Sequence, residues 1–100
     1  MKSVSRKRGM NRGRPRIWLE GKLLVEAGFR RGDHFSVTVQ DDGLILVKKD
    51  DGSRKVSGKA DKPIIDIMGA TLGPLQEVER VTVSYEEGAG QLTITPEIAE

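Results

Sequence analysis

PRIWLEGKLLVEAGFRRGDHFSVTVQDDGLILVKK, residues 15–49, holds the one complete strand, helix and hairpin pattern in this chain of 100 residues. Ile17-Trp18-Leu19 is a short apolar run of the kind that forms a buried strand. Gly21 interrupts it, and Lys22 to Ala27 reads as a short helix with Leu23, Leu24 and Ala27 on one side. Gly28 suits the left-handed residue just past a helix, and Phe29 can fold back over Leu24. After the turn Arg30-Arg31-Gly32-Asp33, Phe35, Val37 and Val39 alternate with Ser36, Thr38 and Gln40, the period of a half-buried strand. Asp41-Asp42-Gly43 supplies a hairpin turn, and Leu44 to Val47 returns as a strand apolar on both faces.

Pro63 to Pro96 repeats that order of elements with different residues. Ile64 to Ile67 stands for Ile17 to Leu19, and Gly69 to Leu72 starts a helical turn that Gly73-Pro74 is expected to end early. Val81, Val83 and Tyr85 stand for Phe35, Val37 and Val39, while Leu92 and Ile94 face inward on the returning strand. A unit of this size cannot close a core alone, so each must pack its hairpin against another copy. Residues 50–62, polar and glycine-punctuated, read as a connector. The second unit is expected to fold with the first into one domain.

Residues 1–14 carry Lys2, Arg6, Lys7, Arg8, Arg12 and Arg14, no acid and almost no apolar side chain. Such a segment is expected to be a disordered arm that settles on phosphates. Arg16, Lys22, Arg30 and Arg31 extend the basic set onto the first unit. From residue 63 onward Arg80 stands alone against seven acids, so the chain is positive at the front and negative at the back. An acidic second unit would be repelled by phosphate and would orient the protein on its ligand.

The residues Leu19, Gly21, Leu24, Ala27, Gly28, Phe29, Gly32, Asp33, Val37, Val39, Gly43 and Leu44 to Val47 form L-x-G-x-x-L-x-x-A-G-F, a Gly-Asp turn and a V-x-V hairpin. This third of the chain resembles the SymE-like proteins within the SpoVT/AbrB (MazE-like) group. The resemblance implies a mostly β fold with short helices, a swapped-hairpin barrel, here built from two pseudo-repeats. It further implies nucleic-acid binding, DNA before RNA, in a homodimer or an internal pseudo-dimer. A transcriptional regulator or nucleoid-type protein is the first expectation. A toxin that cleaves RNA is the second, and a protein-binding inhibitor or antitoxin the third.

Catalytic chemistry is hard to assemble. His34 is the one histidine and has no partner nucleophile nearby in sequence. Asp41-Asp42 and Asp50-Asp51 lie in turns, where aspartate is common, so no metal or other cofactor is expected. Trp18 is expected in the core or at an oligomer contact. The chain has no cysteine and no apolar run long enough to span a bilayer. Its basic start lacks the apolar stretch of a secretory signal, and a cytoplasmic protein without membrane contact is expected.

Overall fold

The computed structural model describes residues 1–97, and of Asn11 the backbone alone. The fold is mostly β. In chain order it runs β1 (Lys2–Lys7), β2 (Gly9–Asn11), β3 (Arg14–Glu20), α1 (Lys22–Ala27), β4 (His34–Gln40), β5 (Gly43–Lys48), β6 (Arg54–Lys55), β7 (Ser57–Lys59) and β8 (Lys62–Met68). A 3₁₀ segment (Gly69–Glu77), β9 (Arg80–Tyr85) and β10 (Gln91–Pro96) follow. The strands form two antiparallel sheets, one ordered β1-β9-β10-β5-β4-β6 and the other β2-β3-β8-β7.

Both orders are palindromic with respect to the two halves of the chain. In the smaller sheet Trp18 lies opposite Asp66, and in the larger Ile45 lies opposite Thr93. Each of these pairs joins positions 48 apart, so a quasi-twofold axis passes through both ladders. The hairpins obey the same offset: Asn11 faces Arg14 at the tip of β2–β3, and Lys59 faces Lys62 at the tip of β7–β8. A backbone bond recurs between corresponding elements, its donors 48 positions apart and its acceptors 46. Val56 N–H donates to Asp33 O and Arg8 N–H to Glu79 O, both at 2.9 Å.

The expectation of a disordered arm over residues 1–14 is overturned. β1 forms a six-residue ladder with β9, and β2 pairs with β3. Low apolar content is no bar here, because the ordering is supplied by backbone pairing to an existing strand and by Val4, which packs against the core. The expected connector over 50–62 is likewise structured. It contains β6 and β7, with Val56 fully buried between them. The chain therefore repeats over its whole described length, not only over 15–49 and 63–96. Each half begins with a strand laid on the other half's hairpin: β1 on β9, and β6 on β4.

One core results. Ile17, Leu19, Leu24, Phe29, Leu44 and Leu46 from the first half share a single cluster with Ile65, Ile67, Leu72, Val81, Val83, Leu92 and Ile94 from the second. The period-2 alternation of β3, β8, β9 and β10 sends these side chains inward and leaves the hydroxyl and charged residues outside. α1 ends as read from the sequence. Gly28 is left-handed at φ 97°, Phe29 N–H donates to Leu24 O at 2.8 Å, and Phe29 is buried.

Three local expectations differ from the fold. Gly73-Pro74 kinks the 3₁₀ segment without ending it, since Gly73 leaves helical geometry and the chain turns on to Glu77, burying Leu75. Val39 is exposed at the end of β4, beyond the cover of the smaller sheet. Of the two places expected for Trp18, the core is excluded: the alternation that buries Ile17 and Leu19 points it outward, and it remains 42% exposed.

Candidate nucleic-acid interface

The ten basic residues singled out from the sequence do not form one patch. Four are engaged internally. Lys2 lies 3.7 Å from Glu26 and 3.8 Å from Glu87, and Lys22 lies 3.8 Å from Glu26 on the adjoining turn of α1. Arg8 donates from Nε to the Val78 carbonyl, tying the β1–β2 corner to the loop before β9. Arg16 makes a two-point pair with Asp66, Nε to Oδ1 at 3.1 Å and Nη2 to Oδ2 at 2.8 Å. These four cations hold elements together, and only Lys2 and Lys22 remain well exposed.

Among the described residues, Lys7, Arg12, Arg14, Arg30 and Arg31 carry no side-chain hydrogen bond or ion pair, and Arg6 bonds only its neighbour's carbonyl. Lys55 and Lys59, which the sequence reading assigned to a connector, are equally uncommitted. Three of these cations line two clefts related by the quasi-twofold axis, Arg31 and Lys55 in one and Lys7 in the other.

The first is a cleft of about 460 Å³ lined by Arg31, Gly32, Lys55, Val56, Ser57 and Gly58. Its walls are rigidly joined. Gly32 N–H donates to Val56 O, Val56 N–H donates back to Asp33 O, and Asp33 Oδ2 accepts from the Arg30 amide at 2.8 Å. The turn is further pinned by Lys48, whose ammonium lies 3.3 Å from Asp33. The Arg30-Arg31 pair is thus presented on a braced loop, with Lys55 opposite Arg31 and no acid in the lining.

The second cleft, about 410 Å³, is lined by Lys7, Arg8, Met10, Glu79 and Arg80. Lys7 and Arg8 occupy the places of Lys55 and Val56, 48 positions earlier. Arg80 is held by Glu97 at 2.9 Å and by the Ser5 hydroxyl at 2.8 Å. This cleft therefore offers Lys7 and the outer part of Arg80, moderated by Glu79. The two clefts lie at opposite edges of the smaller sheet, one beside β2 and the other beside β7.

On the other side of the molecule the charge is spent differently. Tyr85 donates its hydroxyl to Glu26 Oε2 at 2.6 Å. That bond, aided by Lys2 and Lys22, holds the Glu26 carboxyl below its ordinary value, and it raises the Tyr85 phenol above its own. The trio joins α1, β1 and β9 and has a structural purpose.

His34 stands exposed at the start of β4 with Nδ1 3.1 Å from the Gly52 carbonyl oxygen. No group of three or more metal-ligating side chains lies together among the described residues. No helix among them is long and apolar enough to cross a membrane.

The sequence contains a signal for the second half of this interface. Ser5-Arg6-Lys7 recurs as Ser53-Arg54-Lys55, followed at the same spacing by Pro15 and Pro63, Ile17 and Ile65, Gly21 and Gly69, and Leu24 and Leu72. Alignment at that offset places Lys55 beside Lys7 as a site residue. Set against family models, characterised proteins and solved structures, the chain shows no match.

Proposed function

We propose that this protein binds nucleic acid, with phosphate contacts made at the two quasi-equivalent clefts and at the free arginines beside them. What supports the reading is the set of cations without an internal partner among the described residues: Arg31 and Lys55 together in the acid-free cleft, and Lys7, the equivalent of Lys55, in the other. Clefts set about a twofold axis, the acid-free one the stronger, suit a ligand whose backbone repeats, as phosphodiester chains do. Aligned with the repeat, the first 48 residues carry a net +6 and the remainder −4, so the first half supplies most of the attraction.

The resemblance of residues 15–49 to SymE-like and AbrB-like proteins makes a swapped-hairpin barrel the fold type proposed. It makes a cytoplasmic DNA-binding regulator the form of the function. The interleaving of the two halves, each lending its first strand to the other, agrees with an internal pseudo-dimer.

A salt titration of binding to labelled duplex DNA tests the reading. With about six phosphates neutralised, log affinity falls with log salt at a slope of about −5. Joint substitution of Arg31→Ala and Lys55→Ala reduces that slope by about 2 and weakens binding to all sequences alike. A slope near zero removes the proposal.

A further inference from the structure

The outer face of the four-stranded sheet lies between the two clefts, and Trp18 stands at its centre. Paired residues of an antiparallel ladder share a face, so Arg16, Trp18 and Glu20 of β3 lie beside Met68, Asp66 and Ile64 of β8. Ile64 and Met68 are half-buried there, and Trp18 keeps 42% of its surface open. The Arg16 guanidinium carbon sits 4.5 Å from the indole centroid and is itself locked by the two bonds to Asp66. One side of the ring is thus braced by a fixed cation, which orients the indole without adding a free charge to the face.

Uncommitted cations stand at both margins of this platform: Arg12 and Arg14 at the tip of β2–β3, and Lys59 at the tip of β7–β8. The two tips lie at opposite ends of the antiparallel β3–β8 pair, so the path between them crosses three strand spacings, about 14 Å, and also runs about eight residues along the strands, roughly 26 Å. A flat sheet bearing an open aromatic ring, with cations at either end of the path, matches the demands of an unpaired polynucleotide. Its bases need a π surface and its phosphates need positive charge on each side.

We infer that this face binds single-stranded nucleic acid, one base stacking on Trp18 while phosphates further along the strand in each direction meet Arg12 and Arg14 at one end and Lys59 at the other. The inference rests on the nucleic-acid reading above and names the form of its ligand at this surface. A duplex cannot use the platform, because its base faces are sealed in the stack. The acids on this face are engaged, Asp66 by Arg16 and Glu20 by Lys62. A second copy packed face to face is left with Asp61, at the β7–β8 tip, to oppose Arg12, Arg14 and Lys59.

The chain has a single tryptophan, so the full-length protein reports on its own site. The experiment titrates it with labelled oligothymidylate, oligouridylate and a duplex of equal length, reading indole fluorescence and label anisotropy together. Quenching by the single strands and none by the duplex is expected, and the two single-strand arms decide between DNA and RNA. Trp18→Ala, at an exposed position, retains its circular dichroism and loses about tenfold or more in affinity for single strands, while Trp18→Phe recovers most of it.

Binding seen by anisotropy without indole quenching overturns the inference and leaves the nucleic-acid reading standing. No anisotropy change with any probe overturns both. A halved solution mass in Trp18→Ala with unchanged affinity assigns the face to a second copy, and also overturns it.

Discussion

At the scale of single residues, side-chain identity here reports partner as much as position. Arg16 and Lys7 are both basic strand residues, yet one is consumed by Asp66 and the other is free. Nothing in their immediate sequence separates them, because Asp66 is brought to Arg16 only by the β3–β8 register. Tyr85 makes a similar case. Its bond to Glu26 joins residues from opposite halves and depresses the carboxyl from its ordinary 4.5 while raising the phenol from 10.0.

A carboxyl depressed in the folded state contributes stability above its unfolded value, and that contribution is lost as pH falls through the folded one. A raised phenol contributes below its unfolded value and loses it as pH rises through the folded one. Thermal melts of the native protein and Tyr85→Phe should therefore differ most between about pH 5 and 9, and converge on acidification only as pH falls through the depressed Glu26 value. A difference that does not vary with pH would show that the hydroxyl merely fills space.

Elements carry the largest surprise, at the start of the chain. β1 has five exposed residues out of six and reads as a tail, but it covers the free edge of β9 along its whole length. An unpaired edge strand bearing Val81, Val83 and Tyr85 would otherwise leave its ladder groups bare. Removal of residues 1–8 should lower the melting temperature by about 5 °C or more, the consequence of losing one ladder and the Val4 contact. The same deletion removes Arg6, Lys7 and Arg8, so weakened nucleic-acid binding in it cannot be read apart from the melt. A deletion that melts with the full-length chain would restore the view of these residues as a loose arm.

Gly43 shows the complementary point, a turn residue whose requirement is tertiary. Its place after Asp41-Asp42 suits a hairpin turn, but the positive φ falls on Asp41. Gly43 is demanded by β10, whose Ile94 carbonyl oxygen would stand 2.1 Å from an added Cβ.

For the whole molecule, the exchange of first strands means that neither half closes its own sheet, while the two together enclose one shared core. In the internal pseudo-dimer proposed above, the second half occupies the place a second chain would take. Light scattering at micromolar concentration should accordingly return the mass of one chain. A dimer would mean that the apolar surface left outside, with Trp18 and Val39, is enough to drive association.

The chain's own letters settled the local matters: the α1 cap at Gly28 and Phe29, the hairpin of Phe35 to Val47, and the inward sets of β9 and β10. Each of these depends on neighbours within a few residues, where periodicity and backbone preference act directly. The letters also held the 48-residue repeat, written in Ser-Arg-Lys, the two prolines and the two glycines, though low overall identity hid it. What needed three dimensions was every contact between halves: the order of β1, the burial of Val56, the outward turn of Trp18 and the sorting of cations into bound and free. Pairing partners 48 or 75 positions apart leave no local trace, since a strand edge or a carboxylate accepts whatever the closed fold brings against it.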